Sequence, residues 1–312
     1  MLDSFRTIVQ NVAILFLMIG AGYACAKFRV ITQRGAAQMT SILLFISTPC
    51  LIITSLQQTI GKGTVNMEAI AVAAGVAVLS NVIPIAVSVF LFRKHEGRRK
   101  KVLRFAVVYS NCGFMGVPLV QAVLGDQGVV YASITIAVFN VFVWTHGFAM
   151  MSGDEKVSVK KILFNPGVLG LAVGLPLFAC AVQLPPVIDA PISSFSALNT
   201  PLAMLVIGNY IARVNLRELF LDKDIYSVCF YRLVLVPALF LAALWLLKPD
   251  PIVFLSAMIL SCAPTAANTV LFAAQYGSDV KLASKAVAIT TLLSIFTMPI
   301  FAVLAQMLAK GT

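Results

Sequence analysis

Ten stretches of this 312-residue sequence are long and apolar: 7–26, 35–61, 69–92, 105–125, 127–153, 162–188, 190–212, 225–247, 251–278 and 286–309. Arg232 is the single Asp, Glu, Lys or Arg within them. Each is at least the roughly 20 residues that a helix needs to cross a bilayer core. In hydrocarbon no water meets the backbone, so such a run has to be helical to satisfy its own amides and carbonyls. The runs leave no room for a soluble domain of useful size. Charged residues are only 11% of the chain, against the roughly 25% usual in soluble domains. The sequence therefore predicts an all-α integral membrane protein with ten transmembrane helices, here called segments 1 to 10. Ala24-Cys25-Ala26 resembles a signal-peptide cleavage site, but segment 1 is long for a signal core and has a counterpart later. It reads as a retained helix.

The net charge of +11 comes from topology and not from a nucleic-acid surface. With ten spans the loops alternate between two sides. The loops after segments 1, 3, 5, 7 and 9 carry 18 Lys and Arg, seven of them in 93–104. The other side, with both termini, has only Arg6, Lys62, Lys248 and Lys310. Lys and Arg in short loops mark the cytoplasmic face, so a multi-pass protein of the cell (inner) membrane is expected, with both termini outside. The run Arg93-Lys94-His95-Glu96-Gly97-Arg98-Arg99-Lys100-Lys101 fixes that topology, with anionic lipid as its other reading. All six cysteines lie in apolar runs without a CxxC and read as small hydrophobes, not as a disulfide framework or a metal site.

Landmarks recur at one offset. Pro49 matches Pro201 at 152 residues, Pro84 matches Pro237 at 153, and Gly125 matches Gly277 at 152. Each half, 1–153 and 162–309, holds five segments, and an odd number inverts the second half relative to the first. Inverted repeats place a substrate site at their interface near the midplane.

Segments 4 and 9 are interrupted near their middles, by Ser110-Asn111-Cys112-Gly113-Phe114-Met115-Gly116-Val117-Pro118 and by Ser261-Cys262-Ala263-Pro264-Thr265-Ala266-Ala267-Asn268. Paired breaks in the two halves of a membrane protein point to a transporter's binding site. Gly113 and Gly116 weaken the first helix, and Pro118 and Pro264 remove amide donors. Because proline suits the first position of a helix, restarts are expected at Pro118 and Pro264. Val117 and Ala263 cannot cap them, so the free amides would suit an anion, with Asn111 and Asn268 flanking it. The alternative is a pair of proline kinks whose freed groups are met by neighbouring helices. Two matched breaks with flanking asparagines favour a site.

All twelve acidic residues lie outside the runs, which disfavours proton antiport through buried carboxylates. His146, in segment 5, reads as an interfacial hydrogen-bonding group. Arg232 sits about two turns from the cytoplasmic end of segment 8, where snorkelling is the default and contact with an anionic substrate the sharper alternative. Export of a monoanion needs no coupling ion: 100 mV, inside negative, supplies about 2.3 kcal/mol per charge, enough for a roughly forty-fold gradient. No cofactor is called for. A sodium site built from unwound carbonyls with Asn and Thr stays open.

These segments resemble the auxin efflux carrier family, whose bacterial branch includes organic-acid permeases. The resemblance rests on Asn111 through Pro118 and Gly125, on Asn165-Pro166-Gly167, on Ala263 through Asn268 and Tyr276-Gly277, and on Thr290-Thr291-Leu292-Leu293-Ser294 with Pro299. It implies two inverted five-helix repeats, like the sodium/bile-acid symporters, with segments 4 and 9 crossing at Pro118 and Pro264. Segments 1, 2, 6 and 7 would form a scaffold, commonly homodimeric, against which segments 3–5 and 8–10 move as an elevator. Asn111 and Asn268 would line the substrate site, with Asn140, Thr291 and Ser294 beside the crossing. The stretch Met151 to Lys161 is too short for the long regulatory loop of plant members.

The expected function is secondary transport of a small organic carboxylate by alternating access, with export driven by the membrane potential as its uncoupled mode. A sodium-coupled symporter of an organic anion is the alternative, and a channel or sensor a third. No HExxH, Ser-His pairing or metal cluster suggests an enzyme.

Overall fold

The computed structural model describes residues 2–60, 67–152, 166–213 and 222–309. Lys62, Lys156, Lys160, Lys161, Asn165, Arg217 and Lys310 lie outside them, as does most of the connection from Met151 to Lys161. Among the described residues the regular elements are helices, with one isolated antiparallel bridge. In chain order they are α1 (Leu2–Lys27), α2 (Gln33–Ile42), α3 (Thr48–Thr59), α4 (Met67–Phe90), α5 (Gly97–Val108), α6 (Val117–Phe142) and α7 (Phe148–Ser152). The second half follows with α8 (Pro166–Ala179), α9 (Pro186–Ala197), α10 (Asn199–Ala212), α11 (Lys223–Phe230), α12 (Val236–Leu247), α13 (Pro251–Ser261), α14 (Asn268–Gln275) and α15 (Val280–Ala309).

Among the described residues six helical stretches are long and apolar enough to cross a membrane: Gln33–Gln58, Glu68–Phe90, Cys112–Ser152, Pro186–Ala212, Lys223–Leu247 and Val280–Ala309. The other expected segments fall on α1, on the end of α5 with the turn after it and α6 as far as Gly125, on α8, and on α13 plus α14. Leu17, Phe90, Val187 and Leu246 are largely exposed, while Asn111, Asn209, Thr265, Thr290 and Arg232 are buried. A surface so apolar suits lipid, not water.

Loop residues set several starts. Asp250 accepts the Ile252 amide at 2.9 Å, with Pro251 in the first helical position of α13, the favoured use of both residue types. Thr32 and Asp222 cap α2 and α11 in the same way. Prolines then shape the interiors. The π turns Leu43–Ser47, Cys112–Gly116 and Tyr231–Leu235 each stand two residues before a proline: Pro49, Pro118 and Pro237. In each, the residue preceding the proline donates five residues back, Thr48 to Leu43, Val117 to Cys112 and Val236 to Tyr231. Widening the turn keeps the proline ring off the carbonyl of the preceding turn. A fourth π turn, Val143–Gly147, has no proline after it.

The matched glycines share a conformation. Gly125 interrupts α6 at φ 64° and Gly277 follows α14 at φ 62°, a region that costs other residues energy. Arg29 and Ala181, also 152 residues apart, likewise have positive φ, where α1 and α8 end.

The most extensive helix pairings are α1 with α10 and α3 with α8. Both depend on glycine. A Cβ on Gly22 would strike the Leu205 backbone, and one on Gly174 would lie 2.7 Å from Leu56 Cδ1 and 3.5 Å from Ile53 Cα. Gly22 and Gly174 are 152 apart, as are Ile53 and Leu205, so the two contacts exchange partners. Elsewhere α13 packs along α6 and α15, and α4 along α6. Their facing side chains form the main core, including Phe105, Met115, Leu119 and Phe254.

Polar bonds gather the basic loops at one end. Arg99 binds Asp222 and Asp224, and His95 binds Asp224 at 3.0 Å. Lys101 donates to the Met151 carbonyl, Arg104 to those of Val89 and Leu91, and Asn209 bridges Ile31 and Arg213. At the opposite end Gln57 bonds Val182 and Leu184.

Candidate functional site

The two sequence breaks meet. Tyr109–Asn111 and Cys262–Ala267 are unwound, and amides freed in each find carbonyls of the other. Asn111 donates its amide to the Pro264 carbonyl at 2.6 Å, and Ala266 donates to Tyr109 at 2.9 Å. With the antiparallel bridge Ser110–Thr265 this makes a two-strand clasp inside a helical protein. Each bond spares an unmet polar group that would cost several kcal/mol in hydrocarbon.

The last carbonyls of α5 are all matched. Phe105 accepts from Tyr109, Ala106 from Thr265 Oγ1 at 2.8 Å, and Val107 and Val108 from Arg232 Nη1 at 3.2 and 3.3 Å. At the end of α13, Arg232 also donates to Ser261, and through Nε to Ala263 at 3.1 Å. Arg232 therefore does not snorkel: it is 1% exposed and caps two helix ends together, in the role that basic groups play at C-termini. Among the described residues no carboxylate pairs with it.

The expected restarts move. Pro118 lies in the first turn of α6, beyond a π turn that already begins at Cys112. Pro264 lies within the unwound stretch, and α14 begins at Asn268. Relief of the proline clash by π winding, and the pairing of the two breaks, account for both differences.

Asn111, Pro264 and Thr265 come together in the clasp. Thr265 is held at both ends, since its amide reaches Thr290 Oγ1 at 3.2 Å. Gly116 allows close approach: a Cβ there would come within 2.7 Å of Leu260 Cδ2. Gly113, in the same turn, faces open space with nothing within 4 Å of an added Cβ. Asn268 is half-buried at the start of α14. Thr291 is buried next to Thr290, and its carbonyl accepts from Ser294 Oγ at 2.6 Å. Asn140 is half-buried, and among the described residues no hydrogen bond ties it to the clasp.

Among the described residues three buried side chains here carry an unsatisfied polar atom: Asn111 Nδ2, on a residue 4% exposed, and Thr269 Oγ1 and Thr291 Oγ1, on residues fully buried. Such atoms are costly to leave unpaired, and their presence beside an unwound segment fits a site that a ligand completes. A small cavity adjoins the clasp, lined by Ser80, Asn81, Ser110, Thr135, Arg232 and Ser261 among others. Its space of about 10 Å³ is what one water needs, too little for a carboxylate in this conformation. Among the described residues no group of His, Cys, Asp or Glu could hold a metal.

Sequence reading missed the role of Arg232, although its charge singled it out. It also missed Tyr109, whose hydroxyl bonds the Phe142 carbonyl and His146 Nδ1 at 2.9 Å. His146 thus faces the aromatic packing around α5, rather than only an interface.

A family model described as "Membrane transport protein" matches residues 7–159 and 154–302. Relatives align over nearly the whole chain. A "Putative malonate transporter" of Rhizobium meliloti is 26% identical over 90% of this chain and 91% of its own length. An uncharacterized transporter of Methanothermobacter thermautotrophicus is 21% identical over 96% of this chain and 99% of its own. One of Methanocaldococcus jannaschii is 20% identical over 93% and 96%.

Proposed function

The chain belongs to the membrane transport protein family, that of the auxin efflux carriers, and from that premise we propose that it carries a small organic carboxylate across the cell membrane by alternating access. The observation that carries this reading is the clasp between two unwound helices, with the unsatisfied amide of Asn111 beside it. Broken helices that meet between repeats are the usual ground for a transporter's substrate site. The name of the Rhizobium meliloti relative favours a dicarboxylate of malonate size.

The proposed architecture is two inverted five-helix repeats. It is supported by the exchanged contacts Gly22–Leu205 and Gly174–Ile53 and by the paired positive-φ residues. In this reading α1–α3 and α8–α10 are the scaffold, and the place where a second copy would join. The bodies α4–α7 and α11–α15 carry the clasp past them as an elevator. Asn111, Gly113 and Asn268 would face the substrate, with Thr291 and Ser294 behind. Gly116, Pro118, Pro264 and Thr265 would shape the unwound backbone. Asn140 belongs to this set only if the helices shift. The basic end would face the cytoplasm, placing both termini outside, and export of the anion would be driven by the inside-negative potential.

The test is thermal stabilisation of the purified protein against mono- and dicarboxylates. A three-carbon dicarboxylate should raise the melting temperature of wild type but not of Asn111→Ala, whose own melting temperature should stay close to wild type. Equal stabilisation of both would move the site away from the clasp.

A further inference from the structure

We infer that the guanidinium of Arg232 is a built-in cation filling the place that a coupling ion would take, so that transport proceeds without sodium. This rests on the carrier reading above. In transporters with discontinuous helices, unwound carbonyls and the C-terminal ends of half-helices are the groups that coordinate sodium. Here those groups are Val107 and Val108 at the end of α5, and Ser261 and Ala263 at the end of α13, and all four carbonyls accept from Arg232. Two helix C-termini converge on one point. Each carries about −0.5 of a charge, together about −1, which one guanidinium balances. That balance explains how a charge 1% exposed, with no carboxylate partner among the described residues, is tolerated at a depth where lone charges are expensive. The planar fork of Arg, with its five donors, is also able to serve carbonyls of two different helices at once, as an ammonium group serves them less well. Tethered on the π turn Tyr231–Leu235, the cation cannot leave, so no ion gradient can be drawn on through it.

Wild type and Arg232→Gly would be compared by melting temperature in choline chloride, in sodium chloride, and with millimolar methylguanidinium in choline chloride. Wild type should be indifferent to sodium. Arg232→Gly should melt lower and recover by about 2 °C or more with methylguanidinium or sodium. Arg232→Met, of similar length but neutral, should melt lower and not recover, because its side chain still fills the space. Sodium stabilisation of wild type would overturn the proposal. So would an Arg232→Gly protein that folds yet answers to neither cation, or an Arg232→Met protein as stable as wild type. Should Arg232→Gly fail to fold, the wild-type and Arg232→Met results decide. The readout is stability, so it is independent of whether a carboxylate binds: absence of any carboxylate effect with this cation pattern intact would refute the proposed substrate and leave the charge assignment standing.

Discussion

Asn111 has divided duties. Its backbone belongs to the clasp, donating to Pro264 and accepting from Met115 and Gly116, while its side-chain Nδ2 is buried with no partner among the described residues. Shortening the side chain leaves the backbone bonds in place, so Asn111→Ala should cost little stability and remove carboxylate binding. Thr265 is the opposite case. Its hydroxyl caps Ala106 and its amide takes Thr290 Oγ1, so Thr265→Val orphans a buried carbonyl. About 1–3 kcal/mol of stability should be lost, read as a lower denaturation midpoint together with lower transport. A Thr265→Val protein as stable as wild type would mean that water meets the Ala106 carbonyl instead. The asparagine and threonine were legible as candidates because they stand in the two breaks matched between the halves. Which of them are structural was not legible, because that depends on a partner strand more than 150 positions away.

Among the elements, the helical runs could be read directly from the absence of charge, and the glycine ends at Gly125 and Gly277 from the repeat offset. The restarts could not. Pro118 reads as a helix start, yet a π turn from Cys112 absorbs it, and no spacing rule separates the two solutions. The pairing of α1 with α10 and α3 with α8 was likewise hidden, although its glycines were in view. Those glycines carry a prediction. Gly174→Val would press a branched side chain on Ile53 and Leu56 and should destabilise by about 1–3 kcal/mol. The same change at Gly75, where an added Cβ meets nothing within 4 Å, should have far less effect. Equal melting of the two variants would refute close packing of α8 on α3.

For the whole molecule, topology is the testable matter. The bonds from Arg99 to Asp222 and Asp224, from Asn209 to Ile31, and from Arg213 to Asn209, tie separate basic loops to one end, as the expected alternation of spans requires. If that end is cytoplasmic, an impermeant thiol reagent applied to intact cells should label Asp189→Cys and spare Arg98→Cys, in a background where the exposed Cys180 is serine. The reverse pattern would invert the orientation. That the two breaks meet, and that basic loops gather at one end, follows the pattern legible in the sequence; which face of the membrane that end takes is what the labelling decides. The linking role of Arg232 was not legible, since a lone charge near a helix end reads by default as snorkelling.

The most direct measurement is carboxylate flux in proteoliposomes holding the full chain, with malonate inside and outside, with and without an imposed potential, and in choline in place of sodium. The account predicts net malonate flux that is saturable, runs in the direction the potential favours for an anion, is unchanged by sodium, and is absent for Asn111→Ala. Flux of ions at channel-like rates, net malonate flux indifferent to the potential, or flux undiminished in Asn111→Ala, would contradict it.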